Sequence, residues 1–252
     1  MKIIRFSAGK KTGYGILDNE TVKVIQGNPF QNIHYSGVVY QLSEVKLLAP
    51  SIPSKIVCLG VNYRSHAGEM NSQLPTSPLI FLKPPTAVIG PEDKIIYPAM
   101  SQRVDYEGEL GIIIGKKASH ISPQAALEYV LGYTCFNDVT ARDLQKLDNQ
   151  WTRGKGFDTF APFGPWIETD IDLTNTPIET WLNGQLKQKT TAADQIFKAP
   201  ETISFISQVM TLLPGDVIAT GTPGGIGPMN PGDTVEIKIA PIGVLRNYVV
   251  KP

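Results

Sequence analysis

The segment RVDYEGELGIIIG, residues 103 to 115, repeats with period two and lacks the 3.6-residue recurrence of a helix. It reads as one strand with Val104, Tyr106, Leu110, Ile112 and Ile114 on an apolar face that has to be covered. Many other segments are of the same kind. Residues 2 to 6, 13 to 17 and 21 to 25 read as short strands joined by polar and glycine turns, and residues 55 to 61, 79 to 83, 131 to 137, 216 to 220, 233 to 239 and 242 to 250 as further ones. Asn183-Gly184 within WLNGQLKQ predicts a hairpin, because both residues of that turn need positive φ.

Helices are few and short. Ser122 and Pro123 open SPQAALEYV as N-cap and first helical residue, and PETISFISQVM predicts a helix with Ile203, Ile206, Val209 and Met210 on its core face. Strands do not alternate with long helices, so a doubly wound parallel sheet is disfavoured. The expected class is α+β, strand-rich, with a mixed sandwich or barrel. A boundary is placed near Pro53, dividing a small N-terminal β subdomain, residues 1 to 52, from a main domain, residues 53 to 252.

Lys plus Arg and Asp plus Glu both total 23, so no broad basic surface exists to follow a phosphate backbone, and nucleic acid is not an expected partner. No apolar stretch approaches the ~20 residues that span a bilayer, and MKIIRFSAGKK lacks a signal-like apolar region, so no membrane association and a cytoplasmic location are expected. Cys58 and Cys135 lie in apolar runs and read as small buried hydrophobes. The glycine-rich TGTPGGIGP at 220 to 228 lacks the spacing and lysine of a phosphate-binding loop and reads as a turn-rich connection.

The polar face of the 103 to 115 strand presents Asp105, Glu107 and Glu109, with neighbours roughly 7 Å apart on a ~3.3 Å rise per residue. Carboxylates so close repel one another. A divalent cation, which takes several hard oxygen ligands, is the simplest reason to line a strand face with them, and a solvated strand edge is the bland alternative. In GYTCFNDVTARDLQ a strand ends at Asp138 and a helical stretch follows, with Arg142 and Gln145 at the fourth and seventh positions on the same face. Asp138 could equally be a helix N-cap paired with Arg142. In GVNYRSHAGEM, His66 and Glu69 are three residues apart and meet if the segment is helical, giving an imidazole a carboxylate that raises its basicity. Gly68 between them costs a helix about 1 kcal/mol, so this segment is expected to order as a lid over ligand, the alternative being an exposed surface pair.

The stretches CLGVNYRSHAGEM, PLIFLKPPTAVIGP, VDYEGELGIIIGK, GYTCFNDVTARDLQ, WTRGKGFDTFAPFGPW and GDVIATGTPGGIG run in order through residues 55 to 228. Together they resemble the fumarylacetoacetate hydrolase family, in its acylpyruvate hydrolase and oxaloacetate decarboxylase branch. The resemblance implies a mixed β-sandwich roll, usually a homodimer, with Mg²⁺ or Mn²⁺ bound by Glu107, Glu109 and Asp138 and with Asp105 outside the ligand set. It implies His66 and Glu69 as the water-activating pair, Lys155 as a charge-stabilising residue, and Arg142, Gln145 and Thr222 as partners of substrate oxygens. Lys83, in FLKP, also falls in a family motif but reads equally as a member of a structural ion pair, and is left outside the catalytic set. The substrate implied is a small 2-keto acid, cleaved or decarboxylated through a pyruvate enolate. The alternatives are isomerisation of a 2-hydroxy-dienoate or tautomerisation of oxaloacetate, and non-catalytic binding of a small acid.

Overall fold

The computed structural model describes residues 1 to 65 and 73 to 252, so the expected lid and its His66 and Glu69 lie outside the described residues. Most strands belong to a 12-stranded sheet. From one edge it runs through His34–Gln41, Thr21–Gln26, Lys11–Asp18, Lys2–Ala8, Ala161–Glu168, Val130–Asn137, Gly108–Ile114, Val217–Ala219, Ile56–Leu59 and Ile80–Lys83. The strands before Pro53 therefore extend the main sheet, with Lys2 and Ile3 in register with Glu168 and Ile167. Gln185–Thr191, Pro177–Leu182, Thr234–Ile239, Gly243–Val250 and Lys94–Ile96 form a five-stranded sheet, and Thr140–Ala141, Val104–Tyr106 and Gly227–Met229 a three-stranded one.

Alternation along Gly108–Ile114 explains the layers. Leu110 packs with Cys135 against Ile178, Ile237, Leu245 and Val249 of the five-stranded sheet. Ile112 and Ile114, on the same face further along, meet Ile203 and Ile206 of the helix Ala199–Val209. Burying each such side chain contributes about 1.5–3 kcal/mol. Ile113 points the other way into a cluster with Ile3, Ile16, Cys58, Phe136 and Phe163, residues of strands far apart in the sheet. The sheet thus coils over its own inner face. The result is the strand-rich α+β roll with few short helices that was expected. The Asn183-Gly184 hairpin forms, with φ of 51° and 75° at the two turn residues.

Four expectations need correction. The 103 to 115 strand is two strands, because the chain leaves the three-stranded sheet at Glu107 and enters the main one at Gly108, where a Cβ would come within 1.9 Å of Thr180 Oγ1. Pro123–Tyr129 is a 3-10 helix, and Ser122 makes no side-chain cap. Val209 is 58% exposed, because it ends its helix, while Ile203 and Ile206 are fully buried. The helix after Asp138 begins only at Arg142, after the short strand Thr140–Ala141, so Asp138 neither caps it nor shares its face.

Candidate metal centre

The register of the antiparallel pair Gly108–Ile114 and Val130–Asn137 builds the centre. Gly108 lies opposite Asn137, so Glu107 just before one strand and Asp138 just past the other become neighbours. The Asp138 amide donates to the Glu107 carbonyl at 2.9 Å, and the Glu107 amide donates to Asn137 Oδ1 at 3.0 Å. Glu109 stands one step into the strand on the enclosed face. One carboxylate oxygen from each of Glu107, Glu109 and Asp138 lies within 4.8 Å of the others, and all three residues are buried. The three acids expected to share a site are brought together, and Asp105 is held apart by Arg103 at 2.8 Å and Arg142 at 2.9 Å.

Cations surround two of the three carboxylates. Lys155 Nζ donates to Glu107 Oε2 at 2.9 Å and to Asp138 Oδ2 at 2.5 Å, and Lys83 Nζ donates to Asp138 Oδ1 at 2.5 Å and to the Val139 carbonyl at 3.0 Å. Arg142 donates to Glu107 Oε1 and, at 2.5 Å, to Gln145 Oε1. Burial pushes the Glu107 carboxyl up, but Lys155 and Arg142 outweigh it and hold the group at about 2. Burial would strip the proton from Lys155, yet Asp138 and Glu107 hold its pKa above the ordinary lysine value.

Glu109 differs. Its Oε2 accepts from the Gly221 amide at 2.7 Å, a donor aimed by the left-handed φ of +91° that glycine allows there. Its Oε1 is buried without a hydrogen-bond partner among the described residues. Burial, then Asp138 and Glu107, push its carboxyl well above the usual carboxylate range. A buried, partnerless carboxylate oxygen facing two other carboxylates is what a hard divalent cation satisfies, so this oxygen-only donor set fits such an ion.

The centre opens onto a cleft of about 770 Å³ whose lining includes Glu107, Arg142, Gln145, Lys155 and Thr222 together with Leu59, Val61, Leu79, Phe81, Trp151 and Ile226. The Thr222 hydroxyl is committed inside the wall, donating to the Gly108 carbonyl at 3.0 Å and accepting from Gln188 Nε2 at 2.8 Å. Sequence reasoning left Lys83 outside the catalytic set and weighed a structural ion pair for it, which it forms with Asp138, and did not single out Arg103. For Lys83 the available signal was a lysine ending an otherwise apolar strand, Ile80–Lys83, where an ammonium has to find a buried acid.

Comparison with known proteins follows the same lines. Residues 55–250 match the family described as fumarylacetoacetate (FAA) hydrolase C-terminal, and residues 1–50 match the one described as Rv2993c-like, N-terminal. The oxaloacetate tautomerase YisK of Bacillus subtilis is 43% identical over 233 residues, covering 86% of this chain and 77% of that protein. The crystal structure of 5-carboxymethyl-2-hydroxymuconate delta-isomerase from Mycobacterium smegmatis is 42% identical, with a TM-score of 0.94 and both chains covered completely. The fumarylacetoacetate hydrolase of Exiguobacterium antarcticum is 36% identical, with a TM-score of 0.90 and the same full coverage.

Proposed function

This chain belongs to the fumarylacetoacetate hydrolase family, and from that premise we propose that it is a metal-dependent tautomerase or isomerase of short 2-keto acids. The observation that carries the reading is the Lys155 ammonium, fixed between Glu107 and Asp138 beside a cleft of small-molecule size. Moving a proton between an enol oxygen and the adjacent carbon develops negative charge on the keto oxygen. A preorganised cation in a site screened from water stabilises that charge best. The relatives named oxaloacetate tautomerase and hydroxymuconate isomerase support proton transfer over bond cleavage.

In this reading Glu107, Glu109 and Asp138 hold Mg²⁺ or Mn²⁺, which when bound would act as a Lewis acid toward the keto oxygen. Lys155 stays protonated and donates to the developing oxyanion. Arg142 and Gln145, already hydrogen-bonded to each other, present a guanidinium and an amide to the substrate carboxylate at the cleft wall. Thr222 keeps Gly108 in place and so frames the same wall. His66 with Glu69 supplies the base that carries the proton. Residues 1 to 52 act as a β extension of the catalytic unit, residues 53 to 252, and we place the enzyme in the cytoplasm as a homodimer. Among the described residues no helix is long and apolar enough to cross a membrane.

Hydrolytic carbon–carbon cleavage is the second reading, favoured by the spacing of His66 and Glu69 and by the relative titled fumarylacetoacetate hydrolase. Assaying oxaloacetate, acetylpyruvate and a 2-hydroxy-dienoate dicarboxylate with Mg²⁺, for enol absorbance, acid products and CO₂, separates the two. Rapid enol loss without cleavage products is expected. Stoichiometric acetate and pyruvate from acetylpyruvate at the same rate overturn the proposal in favour of hydrolysis, and pyruvate with CO₂ from oxaloacetate overturns it in favour of decarboxylation.

A further inference from the structure

We propose that Phe81 and Trp151 form a subsite selecting 2-keto acids with a flat apolar group on the side away from the keto acid, an inference that rests on the reading above. Lys155 Nζ stands 5.0 Å from the centroid of the Phe81 ring. That ring in turn meets Trp151 edge-on, with centroids 5.2 Å apart and planes at 75°. One lysine side chain therefore joins the reacting centre to an aromatic corner.

The corner is offered to ligand. Both rings are only partly buried, Leu79 beside them is 53% exposed, and all three line the same cleft. Apolar surface that could have been covered by the core is left facing the cleft instead. A volume of about 770 Å³ is in the range that takes drug-sized ligands and far exceeds what a four-carbon keto acid fills.

The competing idea is a second carboxylate at the far end. Arg103 and Lys146 also line the cleft, but both are exposed, and Arg103 already pairs with Asp105 at 2.8 Å. Salt in solution screens such charges. The two rings, packed edge to face, instead leave an apolar corner where a planar, conjugated tail can stack on one ring beside the other.

The full chain with Mg²⁺ is assayed for enol-to-keto conversion of oxaloacetate, acetylpyruvate and benzoylpyruvate. Burying a phenyl-sized group raises kcat/KM for benzoylpyruvate about 10- to 100-fold over acetylpyruvate, mostly through KM. Trp151→Ala and the milder Phe81→Leu each lower kcat/KM for benzoylpyruvate at least about fivefold more than for acetylpyruvate. Wild-type protein that turns over the two alike, or variants that slow both equally, overturns the subsite while leaving the tautomerase reading intact. Conversion of none of the three substrates overturns that reading and this inference with it.

Discussion

Lys155 and Asp138 form a buried ion pair, Nζ to Oδ2 at 2.5 Å, in which neither side chain is more than 2% exposed. Lys83 occupies the other oxygen of the same carboxylate, also at 2.5 Å. Asp138 therefore compensates two ammonium groups that are almost wholly removed from water. Asp138→Ala leaves Lys83 with only the Val139 carbonyl and Lys155 with Glu107 as its one carboxylate partner among the described residues, and is expected to destabilise the fold by about 3–5 kcal/mol. It is also expected to abolish the heat of Mg²⁺ binding. Chemical denaturation and calorimetric titration check the two effects, and a variant that unfolds with the wild type and still binds one Mg²⁺ refutes both roles.

Glu109 is expected to behave in the opposite way. Its carboxylate gains one amide hydrogen bond but faces Asp138 and Glu107 in a buried site. Glu109→Gln keeps the shape, cannot take up the negative charge that burial and its neighbours disfavour, and adds an amide donor for its acidic neighbours. In the presence of a chelator this variant is expected to be at least as stable as the wild type, while Mg²⁺ titration shows no binding. Marked destabilisation would mean that some unidentified cation partner was supporting the wild-type carboxylate.

How far all this could be read in the sequence differs by residue. Period-two patterning carried most strands of the main sheet, and the Asn183-Gly184 turn was legible because few other residues tolerate its backbone. Glu107 and Glu109 were legible because carboxylates crowded on one strand face repel and need a reason, and their grouping with Asp138 came from the family resemblance. The break at Gly108 was not legible, since the close approach of Thr180 from another sheet is visible only in the folded chain. Nor did the strand pattern separate Asp105 from its neighbours, which only the resemblance did, because Arg103 and Arg142 converge on it in space. For Lys83 an ion pair was weighed, but its partner could not be named. Its partner lies 55 residues away, and only folding brings the two together.

Acid sensitivity follows from Glu107. Its carboxyl is held at about 2 against an ordinary value of 4.5, so the folded state favours the charged form. A depressed carboxylate contributes stability that is complete above its unfolded value and is lost as the pH falls through its folded one. Stability of metal-free protein is therefore expected to decline from about pH 4.5 toward 2 more steeply in wild type than in Glu107→Gln. Urea unfolding at a series of pH values reads the difference directly. Parallel slopes in the two proteins would show that Lys155 and Arg142 do not stabilise the Glu107 charge.

Gly154 tests whether the position of Lys155, and not merely its charge, matters. The helices Arg142–Leu147 and Thr152–Lys155 approach so closely that a Cβ on Gly154 would lie 2.9 Å from the backbone nitrogen and Cα of Gln145. Backbone cannot move aside as the end of a long side chain can, so Gly154→Ala has to push the short helix away, at about 1–3 kcal/mol. Lys155 is the next residue and moves with it. Glu107, Glu109 and Asp138 sit on or beside the paired strands Gly108–Ile114 and Val130–Asn137 and keep their places. The expected result is a fall in kcat of about 10²-fold with Mg²⁺ affinity within a few-fold of wild type. Lys155→Met should lose at least as much kcat, because it removes the charge altogether. If Gly154→Ala keeps full turnover while Lys155→Met does not, the ammonium acts as a diffuse charge and its placement between Glu107 and Asp138 is not what catalysis depends on.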